Sequence, residues 1–353
     1  MDYNKLIKDL IDAVVKENGS DIHLSKGKHP VIRVHGILHY LESMPVVTHE
    51  DLLGVVTQLL TPEYKEEFLR EKEIDFSFEA GDARFRGSCF FTQKSIGISL
   101  RLIPKKVKTL EELNLPPVLG DFIQKQQGFF LVVGPMGHGK STTLASMIEM
   151  INQSRAEHIV TIEDPIEYVF QEGKSMIDQR EIKIDTKDFP TALKSIFRQD
   201  ADVLMIGEMR GLETISTSVT AAETGHLVFS TLHTNNAAQT IDRIIDVFPP
   251  QQQSQIKIQL AASLLGIFSQ RLVPRISGGM IPAYELLINN NATANLIREG
   301  RTFEIHNVIE TSSNEGMVSL NKSLEDLVRF GEITLEDARK YSYRSKELNR
   351  NFK

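Results

Sequence analysis

Hydrophobic residues at the start of the chain recur at helical spacing. Between residues 5 and 15 the apolar positions fall on one face of a helix, namely Leu6, Ile7, Leu10, Ile11, Val14 and Val15. Charged residues occupy the positions between them. The pattern predicts an amphipathic helix that buries its apolar face.

The period then changes from helical to alternating. Five segments predict strands: "DIHLS", "PVIRVHG", "EIDFSFE", "ARFRGSCFFTQ" and "IGISLRLIP". Thr61 and Pro62 fit a helix N-cap followed by proline at the first helical position. The mixture predicts an α+β domain over residues 1–103. A linker over residues 104–117 follows, because prolines lie at 104, 116 and 117.

From residue 118 short apolar runs alternate with helical stretches, which is typical of a parallel sheet covered by helices. The strand candidates are "FFLVV", "HIVTI", "VLMIGE" and "HLVFSTL". After "IIDVFPP" the pattern is almost wholly helical, and "LAASLLGIF" (residues 260–268) predicts a core helix. We therefore expect an α/β domain over residues 118–288 and a helical C-terminal region over 289–353.

The composition excludes several classes of protein. A net charge of -7 gives no bulk attraction to nucleic acid or anionic lipid. The single cysteine, Cys89, excludes an internal disulfide and a multi-cysteine metal site. Neither a secretory signal nor a run of apolar residues long enough to span a bilayer is evident. We expect a cytoplasmic protein with no direct membrane insertion.

The stretch "GPMGHGKS" matches the P-loop pattern G-x-x-x-x-G-K-[ST], between an apolar strand and a helix. Glycines let the backbone N–H groups curl around phosphates, and the helix N-terminus adds its dipole. Lys140 is expected to reach the β and γ phosphates of ATP, and Ser141 to hold Mg²⁺. The expected phosphate-binding residues are Gly134, Pro135, Met136, Gly137, His138, Gly139, Lys140, Ser141 and Thr142.

Two other strands end in carboxylates. Glu208 ends "DVLMIGE", although Gly207 stands where a standard Walker B motif has aspartate. Glu163 and Asp164 end a second strand before Pro165. Strand ends in open α/β sheets face the ligand, so Glu208 and Glu163 are candidates for water activation and, for Glu163, a direct or water-mediated Mg²⁺ contact. Alternatively, Asp164 and Pro165 begin a helix.

Histidines and arginines supply further candidates. His226 and His233 flank the strand "LVFSTL", and His233 could report the γ phosphate as a third catalytic residue. Arg86 and Arg101 lie on predicted strands of the first domain. They could stabilise charge at a neighbouring subunit's nucleotide. For the histidines a structural role is the alternative, and for the arginines an ion-paired sheet face.

Four motifs in this order resemble the secretion ATPase superfamily and, within it, the PilT family of type IV pilus retraction motors. They are a Walker A box at 134–141, an Asp box at 161–168, an atypical Walker B at 203–210 and a His box at 224–234. "TLHTNNAAQTIDRIIDVFP" and "SQRLVPR" are also similar to that family. The resemblance covers nearly the whole chain.

The resemblance implies a homohexamer that binds ATP and Mg²⁺. Each subunit would have a PAS-like N-terminal domain and a RecA-like P-loop domain with helices on both faces of its sheet. It assigns water polarisation to Glu208, and it places Glu163 in the Asp box and His226 and His233 in the His box. His226, Arg86 and Arg101 are thereby expected to contact nucleotide. The implied partners are an inner-membrane platform protein and the pilus base, with recruitment to the cytoplasmic face of that membrane.

The chain departs from the family pattern at three places. His138 replaces a small hydroxyl residue of the P-loop, and Ala201 replaces a proline. The family's C-terminal motif, Ala-Ile-Arg-Asn-Leu-Ile-Arg-Glu, is "ATANLIRE" here, with Thr293 and Ala294 in place of isoleucine and arginine. We expect ATP hydrolysis to survive this change, while its effect on retraction is open.

Four alternatives remain at this point. An accessory or paralogous motor, working beside a second retraction motor, would fit the altered motif. An extension or secretion ATPase usually carries a tetracysteine zinc insertion, which one cysteine excludes. A RecA-like nucleic-acid translocase would need basic and aromatic side chains together, and the chain is acidic and has no tryptophan, so no nucleic-acid partner is expected. A nucleotide-binding scaffold without turnover would bind ATP and leave it intact.

Overall fold

A computed structural model describes residues 2–34, 36–81, 83–104, 106–345 and 348. The chain divides into two compact units. The first comprises residues 1–106 with 165–169, and the second comprises residues 107–164 with 170–353. Within the described part of the chain, none of the helices combines the length and apolarity needed to cross a bilayer.

The first unit is an antiparallel sheet covered by helices. Its described strands are β1 Asp21–Ser25, β2 Val31–Val34, β3 Ile37–Tyr40, β4 Glu73–Ala80, β5 Ala83–Thr92 and β6 Ser95–Ile103, in the spatial order β3-β2-β1-β6-β5-β4. Its helices are α1 Tyr3–Lys16, α2 His49–Leu59 and α3 Pro62–Glu71. The α+β architecture expected for the N-terminal part is confirmed.

Local sequence explains the helices of this unit. The apolar face of α1 is buried at Leu6, Leu10, Ile11 and Val14, as its spacing predicted. Thr61 caps α3 and Pro62 is its first residue, also as predicted. The sequence analysis missed α2 and strand β3. The signal for α2 was its capping box, in which Thr48 and Asp51 hydrogen-bond to each other's backbone N–H groups.

The second unit is a mainly parallel sheet between layers of helices. Its strands are β7 Gly128–Val133, β8 His158–Glu163, β9 Met176–Glu181, β10 Val203–Ile206, β11 Leu227–Leu232, β12 Leu264–Pro274 and β13 Met280–Ile288. They lie in the order β13-β12-β7-β11-β10-β8-β9, and among them only the pair β12–β13 is antiparallel.

The helices of this unit pack on both faces of the sheet. Alternate residues of β7 enter separate cores, with Phe129 and Leu131 on one side and Phe130 and Val132 on the other. The described helices are α4 Leu119–Phe122, α5 Lys140–Ser154, α6 Phe189–Ile196, α7 Leu212–Glu223, α8 Ala237–Asp246, α9 Pro250–Ser263, α10 Asn291–Glu299, α11 Ile305–Thr311, α12 Leu320–Arg329 and α13 Leu335–Tyr341, with short 3₁₀ turns at Thr302–Glu304 and Ser313–Glu315. The predicted α/β class is confirmed.

The prediction of a nearly all-helical chain after "IIDVFPP" is wrong. Helix α9 ends at Ser263, and residues 264–268 of the supposed core helix begin strand β12. This strand lies between β7 and β13 in the sheet, and consecutive residues from Gly266 to Gln270 are buried, so both of its faces are covered there. A short, fully apolar run has the same hydrophobic pattern in a buried helix and a buried strand, and periodicity cannot separate them. Strand β9, whose sequence is polar, was also missed.

Candidate functional site

The phosphate loop connects β7 to α5. Every residue of β7 is buried, which fixes the point where the loop begins. Gly134, Gly137 and Gly139 have φ angles of 144°, 76° and 82°, a region that favours glycine. A side chain on Gly137 would meet no atom within 4 Å, so the space above the loop is open. The loop and the fifteen-residue helix after it form a cradle suited to phosphate.

The other predicted loop residues take different positions. Met136 is 83% exposed, Pro135 is half-buried, and the Nδ1 atom of His138 accepts a hydrogen bond of 2.8 Å from the Leu272 backbone N–H. Ser141 and Thr142 lie half-buried in the first turn of α5. A hydroxyl beside the P-loop lysine fits Mg²⁺, which keeps few protein ligands and takes the rest from phosphate and water.

Lys140, His233 and Glu208 form a connected group at the carboxyl ends of the parallel strands. The Lys140 Nζ atom donates to Pro135 O at 2.9 Å and lies 3.3 Å from the Nδ1 atom of His233. The Nε2 atom of His233 lies 3.5 Å from Glu208 Oε2. Glu208 also pairs with the exposed side chain of Arg210. The sequence analysis did not identify Arg210, which follows Glu208 by two positions.

The geometry fixes the tautomer of His233. A lysine ammonium only donates hydrogen bonds, so Nδ1 accepts, and the ring proton is on Nε2, facing Glu208. Burial lowers the pKa of His233, the charge of Lys140 lowers it further, and Glu208 opposes both. The His233 ring therefore links the lysine of the P-loop to the strand-end carboxylate of Glu208.

Glu163 is placed at the end of β8, beside the strand that leads to Glu208. Its carboxylate is buried and accepts hydrogen bonds from Thr161 Oγ1 at 2.7 Å and Gln179 Nε2 at 3.2 Å. A Cβ atom on Gly207 would lie 3.3 Å from Ile162 O and 3.5 Å from the Cα atom of Glu163, so this position in the atypical Walker B motif has little room for a side chain. Gln179 lies on the polar strand β9 that the sequence analysis missed.

His226 lies at the amino ends of the parallel strands, opposite the ends that carry Lys140, His233 and Glu208. It precedes β11, and its backbone oxygen accepts a hydrogen bond from Gly128 N at the start of β7. Its ring contacts Ala221 O at 3.1 Å and packs edge-on against Phe197. The six-residue strand β11 separates it from the phosphate loop by about 20 Å. His226 is therefore too far from the phosphate loop of its own chain to contact phosphates bound there.

Arg86 and Arg101 face each other directly across strands β5 and β6 of the first unit. Arg101 donates to Asp21 at 2.8 Å, and Arg86 lies 3.6 Å from Glu167. Burial raises the pKa of Asp21, but hydrogen bonds from Ser20 and Arg101 outweigh it and lower the pKa. Arg101 remains 70% exposed. Both arginines therefore have carboxylate partners within the first unit, as in the ion-paired sheet face that the sequence analysis gave as the alternative.

Comparison with known proteins identifies the family. The model for "Type II/IV secretion system protein" matches residues 2–341. The chain belongs to this family. It is 42% identical over 334 residues to the type IV pilus retraction ATPase PilT of Pseudomonas aeruginosa, which covers 94% of this chain and 97% of that protein. It is 38% identical over 343 residues to the type IV pilus ATPase PilU of the same organism, covering 96% and 88%.

A solved structure agrees with these relatives. The crystal structure of the pilus retraction motor PilT with bound ADP superposes with a TM-score of 0.90 at 44% identity, over 97% of this chain and 98% of that one. The resemblance to the PilT family predicted from the motifs is confirmed. The predicted fold class, an N-terminal α+β domain followed by a RecA-like P-loop domain, is confirmed as well.

Proposed function

We propose that this protein is an ATPase motor that powers retraction of a type IV pilus. The observation that carries the proposal is the Lys140–His233–Glu208 group, which joins the phosphate loop to a strand-end carboxylate. The relatives support it, since PilT is named as a retraction ATPase and its solved structure carries ADP. The substrate is ATP and the products are ADP and phosphate.

The residues would divide the reaction among them. Lys140 exchanges its contacts with Pro135 O and His233 for phosphate oxygens, and the N–H groups of the loop bind the remaining oxygens. His233 then keeps its Nε2–H toward Glu208 and holds that carboxylate in place. Glu208 orients the attacking water and accepts its proton.

Mg²⁺ would be held by Ser141, with Glu163 contacting it directly or through water, and it would neutralise charge on the phosphates. Thr161 and Gln179 orient the Glu163 carboxylate for that contact. Dependence on Mg²⁺ is part of the proposal. The donor set supports it, because a hydroxyl and one carboxylate are ligands that Mg²⁺ prefers.

The assembly completes the proposal. Six copies form a ring, and Arg86 and Arg101 of a PAS-like domain (residues 1–103) stabilise charge at a neighbouring subunit's nucleotide. A linker (104–117) leads to the RecA-like domain (118–288) and the helical region (289–353). The ring acts at the cytoplasmic face of the inner membrane, on the pilus platform protein and the pilus base. The arginine pair that faces across β5 and β6 supports this role.

An accessory retraction motor is the second candidate. Thr293 and Ala294 depart from the family's C-terminal motif, and PilU is among the relatives. Both residues are buried, at 0% and 9% exposure, whereas Asn295 and Arg298, which match the motif, are exposed. The departures therefore fall at buried positions of α10, and the exposed residues Asn295 and Arg298 match the family motif. This favours the main motor over the accessory one.

A Glu208→Gln variant tests the catalytic assignment. The amide keeps the size of the side chain but cannot accept a proton, so turnover should fall about a hundredfold or more while ADP binding stays within about twofold. Steady-state phosphate release and fluorescent-ADP titration measure the two quantities. Glu213→Gln, at an exposed glutamate of α7, is the matched control and should keep full turnover. Turnover near wild type in Glu208→Gln would remove Glu208 from the mechanism.

A further inference from the structure

Strand β12 hydrogen-bonds to the phosphate loop and to helix α5 through the buried side-chain amide of Gln270. The side chain of Gln270 is 3% exposed, although a glutamine is usually at the surface. Its Oε1 accepts a hydrogen bond of 2.6 Å from Thr143 Oγ1, in the first turn of α5. Its Nε2 donates to the His138 carbonyl at 2.9 Å, inside the loop. The amide therefore ties the loop to the start of the helix that follows it.

Gln270 also packs closely against two glycines of the phosphate loop. A side chain on Gly134 would lie 2.3 Å from Gln270 O, and one on Gly139 would lie 2.9 Å from Gln270 Nε2. Both ends of the phosphate loop thus pack directly on this residue. Leu272, two positions along β12, adds a third tie through its N–H bond to His138. A glycine-rich loop has high conformational freedom, and these contacts reduce it before nucleotide binds.

Ser269, the residue before Gln270, hydrogen-bonds to the loop that carries His233. Ser269 is buried and donates to Asn235 O at 2.7 Å, two residues beyond His233. Successive strand residues point to opposite faces. Adjacent positions of β12 therefore support the phosphate loop and the loop that carries His233.

We propose that Gln270 is a positioning residue for nucleotide binding, which holds the phosphate loop in its binding shape from the neighbouring strand. The proposal rests on the function proposed above and assigns a role to part of the "SQRLVPR" segment. Gln270 contacts the loop and the first turn of α5, so it acts through them. Its loss should raise the KM for ATP and leave kcat within about threefold, because ground state and transition state use the same loop.

A double-mutant cycle on ADP affinity tests this role. Gln270→Leu removes both side-chain bonds, and Thr143→Val removes the hydroxyl that donates to Gln270 and, at 3.2 Å, to Gly139 O. Each should weaken binding of fluorescent ADP about tenfold, and the double variant should be weaker than either by less than about threefold, because both changes remove the same bond. A purely structural effect would lower the melting temperature and leave affinity unchanged.

Asn289→Leu is the matched control. Its amide donates to Ala261 O and Leu264 O at the opposite end of β12, so its loss should change ADP affinity by less than about twofold. If Gln270→Leu does not fold, Gln270→Glu replaces it, since the carboxylate still accepts from Thr143 but cannot donate to the His138 carbonyl. Affinity within twofold of wild type, or multiplying effects in the double variant, overturns the proposal. Failure of the wild type to bind nucleotide would instead overturn the proposed function.

Discussion

At the scale of single residues, the motif predicts which side chains belong to the candidate site but not what they contact. The P-loop pattern identifies Lys140 and Ser141 because the spacing of glycines and lysine is set by phosphate geometry. Nothing in the sequence indicates that Lys140 contacts His233, or that Gly207 packs against Glu163. Those contacts join residues far apart in sequence, and they depend on the order of strands in the sheet.

Glu285 shows a buried carboxyl that sequence patterns could not find. It lies on β13, is 5% exposed, and accepts a hydrogen bond from Ala237 N at the start of α8. Burial raises its pKa to about 7, opposed by that bond and by the charge of Arg344. The folded protein thus keeps a proton that the unfolded chain releases near pH 4.5.

The free energy of unfolding should therefore fall as pH rises from about 4.5 to about 7, by at most about 3 kcal/mol, and stay low above that range. Glu285→Gln removes the ionisation and can still accept from Ala237 N. We expect the variant to gain more stability over wild type at pH 8 than at pH 5, measured by urea unfolding at both values. Glu315→Gln, at an exposed site, is the control. An equal difference at the two pH values would contradict the assignment.

At the scale of elements, predictions succeeded where a pattern has one physical interpretation. Helix α1 and the cap of α3 followed from spacing and from Thr61–Pro62. The strands that lead to the site followed from short apolar runs between turns. The prediction missed β12 because full burial removes the alternation of polar and apolar residues that marks a strand. It missed β9 because the residues of that strand are polar. The predicted site was unaffected, since it was inferred from other strands.

Helix α10 carries the altered C-terminal motif and offers a test of its packing. Thr293 is 0% exposed, and its hydroxyl finds no hydrogen-bond partner among the described residues. Thr293→Val replaces that hydroxyl with a methyl group of the same size. The variant should be about 1 kcal/mol more stable and melt about 2–4 °C higher, with unchanged ATPase activity.

Scanning calorimetry and phosphate release measure the two effects. Asn290→Ala, which removes the side chain that caps α10, is the opposite control and should lose about 1 kcal/mol. A lower melting temperature in Thr293→Val would show that the hydroxyl is bonded after all. The isoleucine of the family motif is larger than valine, so the smaller variant tests polarity without overpacking.

At the scale of the whole molecule, family and fold were predictable because four motifs occur in a fixed order between residues 134 and 234, and the resemblance extends over nearly the whole chain. The match of residues 2–341 to the family model and the TM-score of 0.90 to PilT bear this out. The proposed ring and its partners involve surfaces between molecules, where one chain's periodicity carries little information. What the sequence does contain is the set of motifs that predicts the candidate site, and exposed residues of α10 that match the family motif.

The most direct measurement is live imaging of fluorescently labelled pili in the native host, comparing wild type with a Lys140→Ala allele and Glu213→Gln as a control allele. Lys140 holds phosphate in this account, so its loss should leave pili that extend and persist but do not shorten. The control should retract normally. Pili that still shorten at the wild-type rate, or that fail to form, would contradict the claim that ATP turnover by this protein drives retraction.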